Sequence, residues 1–138
     1  MNELVILRLY FSAAEMRKAD GWWRRLAPQS LGEYLLRQAK NAGVEQALLH
    51  RVIGGYLKDQ ALAMDTGEMP NPRLPQCLEL VGTEASLQDF LRMNREHLES
   101  VRTVFLRGEE ARMEAALDRE ELQQSFKMKE QSDSEQDV

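Results

Sequence analysis

Cysteine is almost missing from this chain. The 138 residues contain one, Cys77, which excludes an internal disulfide and suits a reducing compartment. Long apolar runs are missing too: none approaches the ~20 residues of a membrane helix. Met1-Asn2-Glu3, followed by a strand-like segment, lacks the basic start and cleavage site of a signal peptide. The expected location is cytoplasmic, with no membrane insertion. Basic surplus is absent as well. Residues 1–107 hold 14 basic and 13 acidic residues, and residues 108–138 hold 4 and 10, so the chain lacks the footprint of a nucleic-acid binder. No Ser/Cys–His–acid arrangement, Walker loop or dinucleotide fingerprint occurs, which speaks against an enzyme. His50, His97 and Cys77 have no zinc-ligand spacing and read as ordinary structural residues. No metal site is expected.

What is present is a patterned domain. Leu4 to Phe11 reads as a strand apolar on both faces, with Val5, Leu7, Leu9 and Phe11 on one and Leu4, Ile6 and Tyr10 on the other. Arg8 alone breaks the second face. A strand buried on both faces needs cover on both sides of its sheet. Two helices in one small domain cover one side, so the other side is expected to meet another subunit. Ser30 opens the first helix as an N-cap, with Glu33 placed for a capping box. Leu31, Tyr34, Leu35, Ala39 and Ala42 form its apolar stripe, and Gly43 ends it. Thr83 caps a second helix carrying Leu87, Phe90, Leu91, Asn94 and Leu98. Val101 to Leu106 alternates as a last strand. Glu79 is the one carboxylate expected to be partly buried, paired with Arg8 or Arg51 across the sheet.

Between the helices lies Ala47–Val81. A short apolar run, Ala47 to Ile53, is broken by Gly54-Gly55 and followed by Tyr56. A second run, Gln76 to Val81, closes the stretch. The connection from Leu57 to Leu74 is far longer than the two to five residues usual in hairpins, and loops of that length are functional or disordered. The element order is strand, helix, strand, strand, helix, strand. That is the ferredoxin-like βαββαβ pattern, an α+β fold with an antiparallel sheet and both helices on one face. The expected division is a domain over 1–107, a helical extension over 108–124 and a disordered acidic tail over 125–138.

Several stretches resemble the PII-like signalling proteins, within them the small uncharacterised branch described as a domain of unknown function. Ser30-Leu31 through Ala39 to Gly43 is similar to that branch's first helix. Arg51-Val52-Ile53-Gly54-Gly55-Tyr56 resembles its segment leading into the T-loop. Leu74-Pro75 followed by Gln76 to Val81 resembles its third strand, and Gly82-Thr83-Glu84 its second helix start. The resemblance covers about Leu4 to Arg107. It implies a homotrimer of ferredoxin-like subunits with sheets facing inward, and a small effector, an adenine nucleotide, held in the cleft between subunits. It further implies that residues 57–74 are a mobile T-loop contacting a protein partner such as a membrane transporter or an enzyme. The chain departs from the pattern in four places, one of them the longer loop after the first strand, which carries Trp22-Trp23. Asn94 to Ser100 has no glycine where better-known members carry a glycine-lysine phosphate loop, which counts against ATP in their pose. Residues 57–74 contain no tyrosine or serine to modify. Leu57 replaces a further glycine.

On that footing the candidate ligand residues are Arg51, Gly54, Gly55, Tyr56, Lys58 and Arg73. The candidate partner residues on the loop are Lys58, Asp59, Gln60, Met64 and Asp65. Each has a plainer alternative: Gly54-Gly55 as a bulge, the cations as a solvated face. Trp22-Trp23-Arg24-Arg25 could pack over the first helix or sit in a subunit interface; stacking an adenine or touching a membrane are the other readings. Two further functions stay open: a structural or scaffolding oligomer whose 109–124 helix docks a partner, and, by fold analogy alone, a CutA-like divalent-metal-response protein.

Overall fold

Two antiparallel strands at the centre of one sheet organise the computed structural model, which describes residues 3–17, 29–111 and 113–136. They are β1 (Glu3–Ser12) and β5 (Pro75–Gly82), in register so that Leu7 faces Leu80 and Arg8 faces Glu79. β2 (Gln46–Arg51) lies antiparallel on the far side of β5, and β6 (Arg102–Glu109) flanks β1. The order β2-β5-β1-β6, with one helix between β1 and β2 and another between β5 and β6, is the ferredoxin-like arrangement. The fold is α+β with an antiparallel sheet.

Local chemistry sets both helices. α1 (Leu31–Asn41) starts at Ser30, whose hydroxyl accepts a hydrogen bond from the Glu33 N–H at 3.3 Å. α2 (Glu84–Met93) starts at Thr83, whose hydroxyl accepts from the Ser86 N–H at 3.2 Å. Each cap satisfies one of the first-turn donors that the helix itself cannot. Gly43 follows α1 at φ +74°, a left-handed conformation that side chains with a Cβ rarely adopt. A short 3-10 helix, Arg95–His97, follows α2, with Asn94 and His97 buried around it. The Asn94 amide donates to the Phe90 carbonyl at 2.9 Å. His97 meets Tyr34 of α1 edge-on, ring centroids 4.8 Å apart. His97 is thus a buried residue packed against α1.

The core lies between the helices and one sheet face. Val5, Leu7, Leu9 and Phe11 of β1 and Leu78 and Leu80 of β5 pack with Leu31, Leu35 and Ala39 of α1 and Leu87 and Phe90 of α2. Ile6, Arg8 and Tyr10 point the other way and are only half-buried. Glu79 pairs with Arg8, Nε to Oε2 at 2.9 Å, resolving the two partners the sequence allows.

Glu3–Gly108 forms one compact unit; Glu109–Val138 belongs to another. In the second, α3 runs from Met113 to Gln136. The sequence reading ends this helix at Gln124 and expects disorder from 125 onward, whereas the backbone stays helical for twelve residues more. Lys127, Lys129, Glu130 and Gln131 are good helix formers, and no proline or glycine intervenes to stop them. Composition that is too polar to build a core is still able to carry a solvated helix. Trp22-Trp23-Arg24-Arg25 lie outside the described residues.

Candidate functional site

Between β2 and β5 the chain builds a second, smaller structure. Gly54-Gly55 (β3) pairs antiparallel with Ala63-Met64 (β4), Gly54 opposite Met64. The Asp65 N–H extends the ladder by donating to the Ile53 carbonyl at 2.8 Å. A turn inside the ribbon is closed by the Gln60 N–H on the Leu57 carbonyl at 3.0 Å, with Asp59 at φ +64°. Aspartate is among the few non-glycine residues that tolerate this left-handed conformation. Met64 lies over Gly54 so closely that a Cβ there would stand 2.5 Å from its sulfur. Glycine at 54 is therefore what lets the Met64 side chain lie across the ribbon. The 57–74 connection is a ribbon-bearing arm rather than a featureless loop.

The arm's return limb is tied to the sheet. Asn71 anchors it: its side-chain amide donates to the Met64 carbonyl at 3.2 Å, and its Oδ1 accepts from the Arg73 N–H at 3.0 Å. The Ser12 hydroxyl donates to the Pro72 carbonyl at 2.8 Å, and the Ala13 N–H to that of Leu74 at 2.8 Å. Asp65 takes the Gly67 N–H at 2.9 Å, with Gly67 at φ +77°. Apolar side chains nevertheless project from the arm into solvent: Ile53 is 80% exposed, Met69 76%, and Tyr56 and Leu62 68% each.

Under the return limb is a cleft of about 550 Å³. Its floor comes from the start of α1 and the end of β2, its wall from residues 65–76; Ser30, Glu33, Leu49, Arg51, Asn71 and Gln76 are among the residues that line it. Gly32, fully buried beside the cleft, lets Gln76 and Leu49 approach α1; a Cβ there would lie 2.9 Å from Gln76 Oε1 and 3.1 Å from a Leu49 methyl. Arg51 is the one cation among the described lining residues, against Glu33, Asp65 and Glu68. That balance, one cation against three carboxylates, counts against a polyphosphate.

The structure brings together some of the sequence-selected residues and separates others. Arg51 and Asp65 line the cleft. Gly54, Gly55 and Met64 build the ribbon, and Lys58, Asp59 and Gln60 form its turn, with Tyr56 exposed at its base. Arg73 is exposed and outside the cleft lining described. Asn71 and Gln76, which join cleft to arm and sheet, were not singled out from sequence. The Asn71-Pro72 pair, a known turn initiator, was the available signal for the first.

Away from the cleft, Cys77 sits on β5 opposite Tyr10 and His50. Burial pushes its thiol above the usual range, opposed by the nearby Arg8. Among the described residues no group of three or more His, Cys, Asp or Glu is placed to hold a metal ion. No described helix is long and apolar enough to cross a membrane.

No protein-family model matches the chain, and no curated protein matches it either. Solved structures do. CPII, a nitrogen regulatory PII-like protein from Thiomonas intermedia K12 bound to ADP, AMP and bicarbonate, shares 13% identity at TM-score 0.48, covering 78% of this chain and 85% of that one. A PII-like signalling protein from Thermus thermophilus shares 10% identity at TM-score 0.45, covering 77% and 85%. Both of these solved structures are PII-like proteins by their own descriptions. At such identities the likeness is one of fold.

Proposed function

We propose that this chain is a non-enzymatic regulator of the PII-like kind. It assembles as a homotrimer, takes a small effector at the foot of the 57–74 arm, and signals to a protein partner through the arm's exposed apolar ribbon. One observation carries the reading: the limb that walls the cleft is the limb that holds the ribbon. Asn71 lines the cleft and also holds the Met64 carbonyl, so a ligand that moves Asn71 acts on the ribbon directly. A two-state arm biased by a bound ligand needs such differential contact.

An adenine nucleotide is the effector the sequence resemblance implies, and the site narrows which one. Where better-known PII proteins carry a glycine phosphate loop, Asn94–His97 is a packed turn with two buried side chains. With one lining cation and no such cradle, added phosphates gain little. Calorimetry on the full chain against ATP, ADP, AMP, cyclic AMP and bicarbonate tests this. Binding is expected for at least one, weakened tenfold or more in Arg51→Ala, with ATP no tighter than AMP. Absence of binding by all five would favour the scaffold reading, which the 24-residue α3 supports by exposing Phe126 and Met128.

A further inference from the structure

Met16, Met64, Met69, Met93 and Met128 are all exposed, so their thioethers are open to small oxidants in water. Met64 has a further property. It is 54% exposed, yet its sulfur and methyl lie 2.5 and 3.0 Å from where a Cβ at Gly54 would stand. Its backbone pairs with Gly54 across the ribbon, and its carbonyl accepts from the Asn71 amide at 3.2 Å. Met64 therefore holds the arm by its backbone in two directions and by its thioether in a third. A small oxidant alters only the thioether.

The ribbon depends on that contact more than a larger sheet would. Each of its strands has two residues, and Gly54-Gly55 brings no side chain to cover the pairing. A two-stranded ribbon without apolar cover is marginal in water. The Met64 side chain lies over Gly54 and supplies such cover. Its sulfur faces backbone on one side and water on the other, which is where a reagent reaches it.

We propose that Met64 is an oxidation site that loosens the arm: a peroxide converts its thioether to the sulfoxide, and the ribbon then opens more often. A sulfur lone pair attacks one peroxide oxygen, the O–O bond breaks and an S–O bond forms. With hydrogen peroxide the other oxygen leaves as hydroxide and takes up a proton to become water. Sulfur loses two electrons and the peroxide gains them. The sulfoxide is neutral but dipolar, and its oxygen costs free energy wherever it lacks a hydrogen-bond partner. It leaves the seat on Gly54 for solvent. The pairing of residues 54–55 with 63–64 stays the resting state, now without its cover. The change requires neither a nucleotide nor an oligomer.

Hydrogen peroxide treatment of the full chain tests it. Peptide mass mapping reads the site, trypsin cleavage at Lys58 the arm, and far-UV circular dichroism the fold. Met64 is expected to gain one oxygen, and cleavage at Lys58 to quicken about threefold or more with the fold unchanged. Reduction by a thiol-dependent sulfoxide reductase returns the original rate. Met64→Leu keeps an apolar side chain without sulfur, and its cleavage rate is expected to ignore peroxide. Cys77→Ala and M16L/M69L/M93L/M128L, which both retain Met64, keep the response. Met64→Gln, polar from the start, is cut fast without peroxide. Met64 left intact while Met93 and Met128 convert would overturn the site. Unaltered cleavage once Met64 is oxidised would overturn its hold on the arm, as would a full response in Met64→Leu.

Discussion

Single residues carry two separable duties in this fold, and each has its own measurement. Ser30 and Thr83 each satisfy a first-turn donor of one helix. Ser30→Ala and Thr83→Ala are each expected to cost about 1 kcal/mol, read as a lower denaturation midpoint with unchanged m-value. The double variant sums the two, since the caps belong to different helices and share no partner. Cys77 gives a pH dependence. Its folded thiol titrates above the ordinary range because burial disfavours the thiolate. As pH rises, the unfolded chain loses this proton first, so the stabilising contribution is complete below the ordinary thiol value and fades above it. Stability of the wild type is therefore expected to fall from about pH 8.5 upward, with that part of the fall absent in Cys77→Ala. Urea melts at pH 7 and 9.5 compare them; equal losses in both proteins would contradict the assignment. Alkylation of Cys77 at pH 7 should likewise be slow beside that of the unfolded chain.

At the scale of elements, α3 shows how far composition carries. Residues 125–135 are helical yet exposed throughout, so they bury little. Removal of Ser125–Val138 is expected to leave the melting temperature of the chain within about 2 °C, because unburied residues contribute little to a cooperative core. Its helical signal at 222 nm falls nonetheless; a random-coil tail would leave that signal unchanged. The elements that were legible in the sequence are those with a period: β1 through Val5, Leu7, Leu9 and Phe11, α1 and α2 through their caps and stripes. β3 and β4 were not, because two-residue strands have no period. Gly54-Gly55 suggested a bulge or a ligand approach, and only Met64 lying over Gly54 reveals a ribbon. Gly54→Val is expected to swing the Met64 side chain off the ribbon at little cost to the core, since Met64 is already half-exposed. A shifted Met64 methyl signal, with core signals and the 54–55 to 63–64 cross-strand contacts kept, would be the spectroscopic mark. The cleft was half legible: Arg51 ended a readable strand, but Asn71 and Gln76 join it through chain path alone.

In the molecule as a whole, cleft and arm share a covalent wall, and their coupling can be measured apart from binding. Lys58 stands in the ribbon's exposed turn, where trypsin cuts whenever the local structure opens, at a rate set by the population of the open form. A ligand seated against residues 65–76 reinforces the limb that holds the ribbon, so AMP or ADP, whichever binds more tightly, is expected to slow cleavage at Lys58 severalfold. Asn71→Ala removes the amide that bonds the Met64 carbonyl while leaving Arg51 in place. In that variant the nucleotide should still bind within about threefold of wild type, yet protect Lys58 no better than buffer does. Arg51→Ala should behave oppositely, losing affinity but gaining full protection once saturated. A single variant that lowered both in proportion would mean that binding alone governs the arm. On the function proposed above the two effects must separate, because a partner would then read the ribbon and not the cleft.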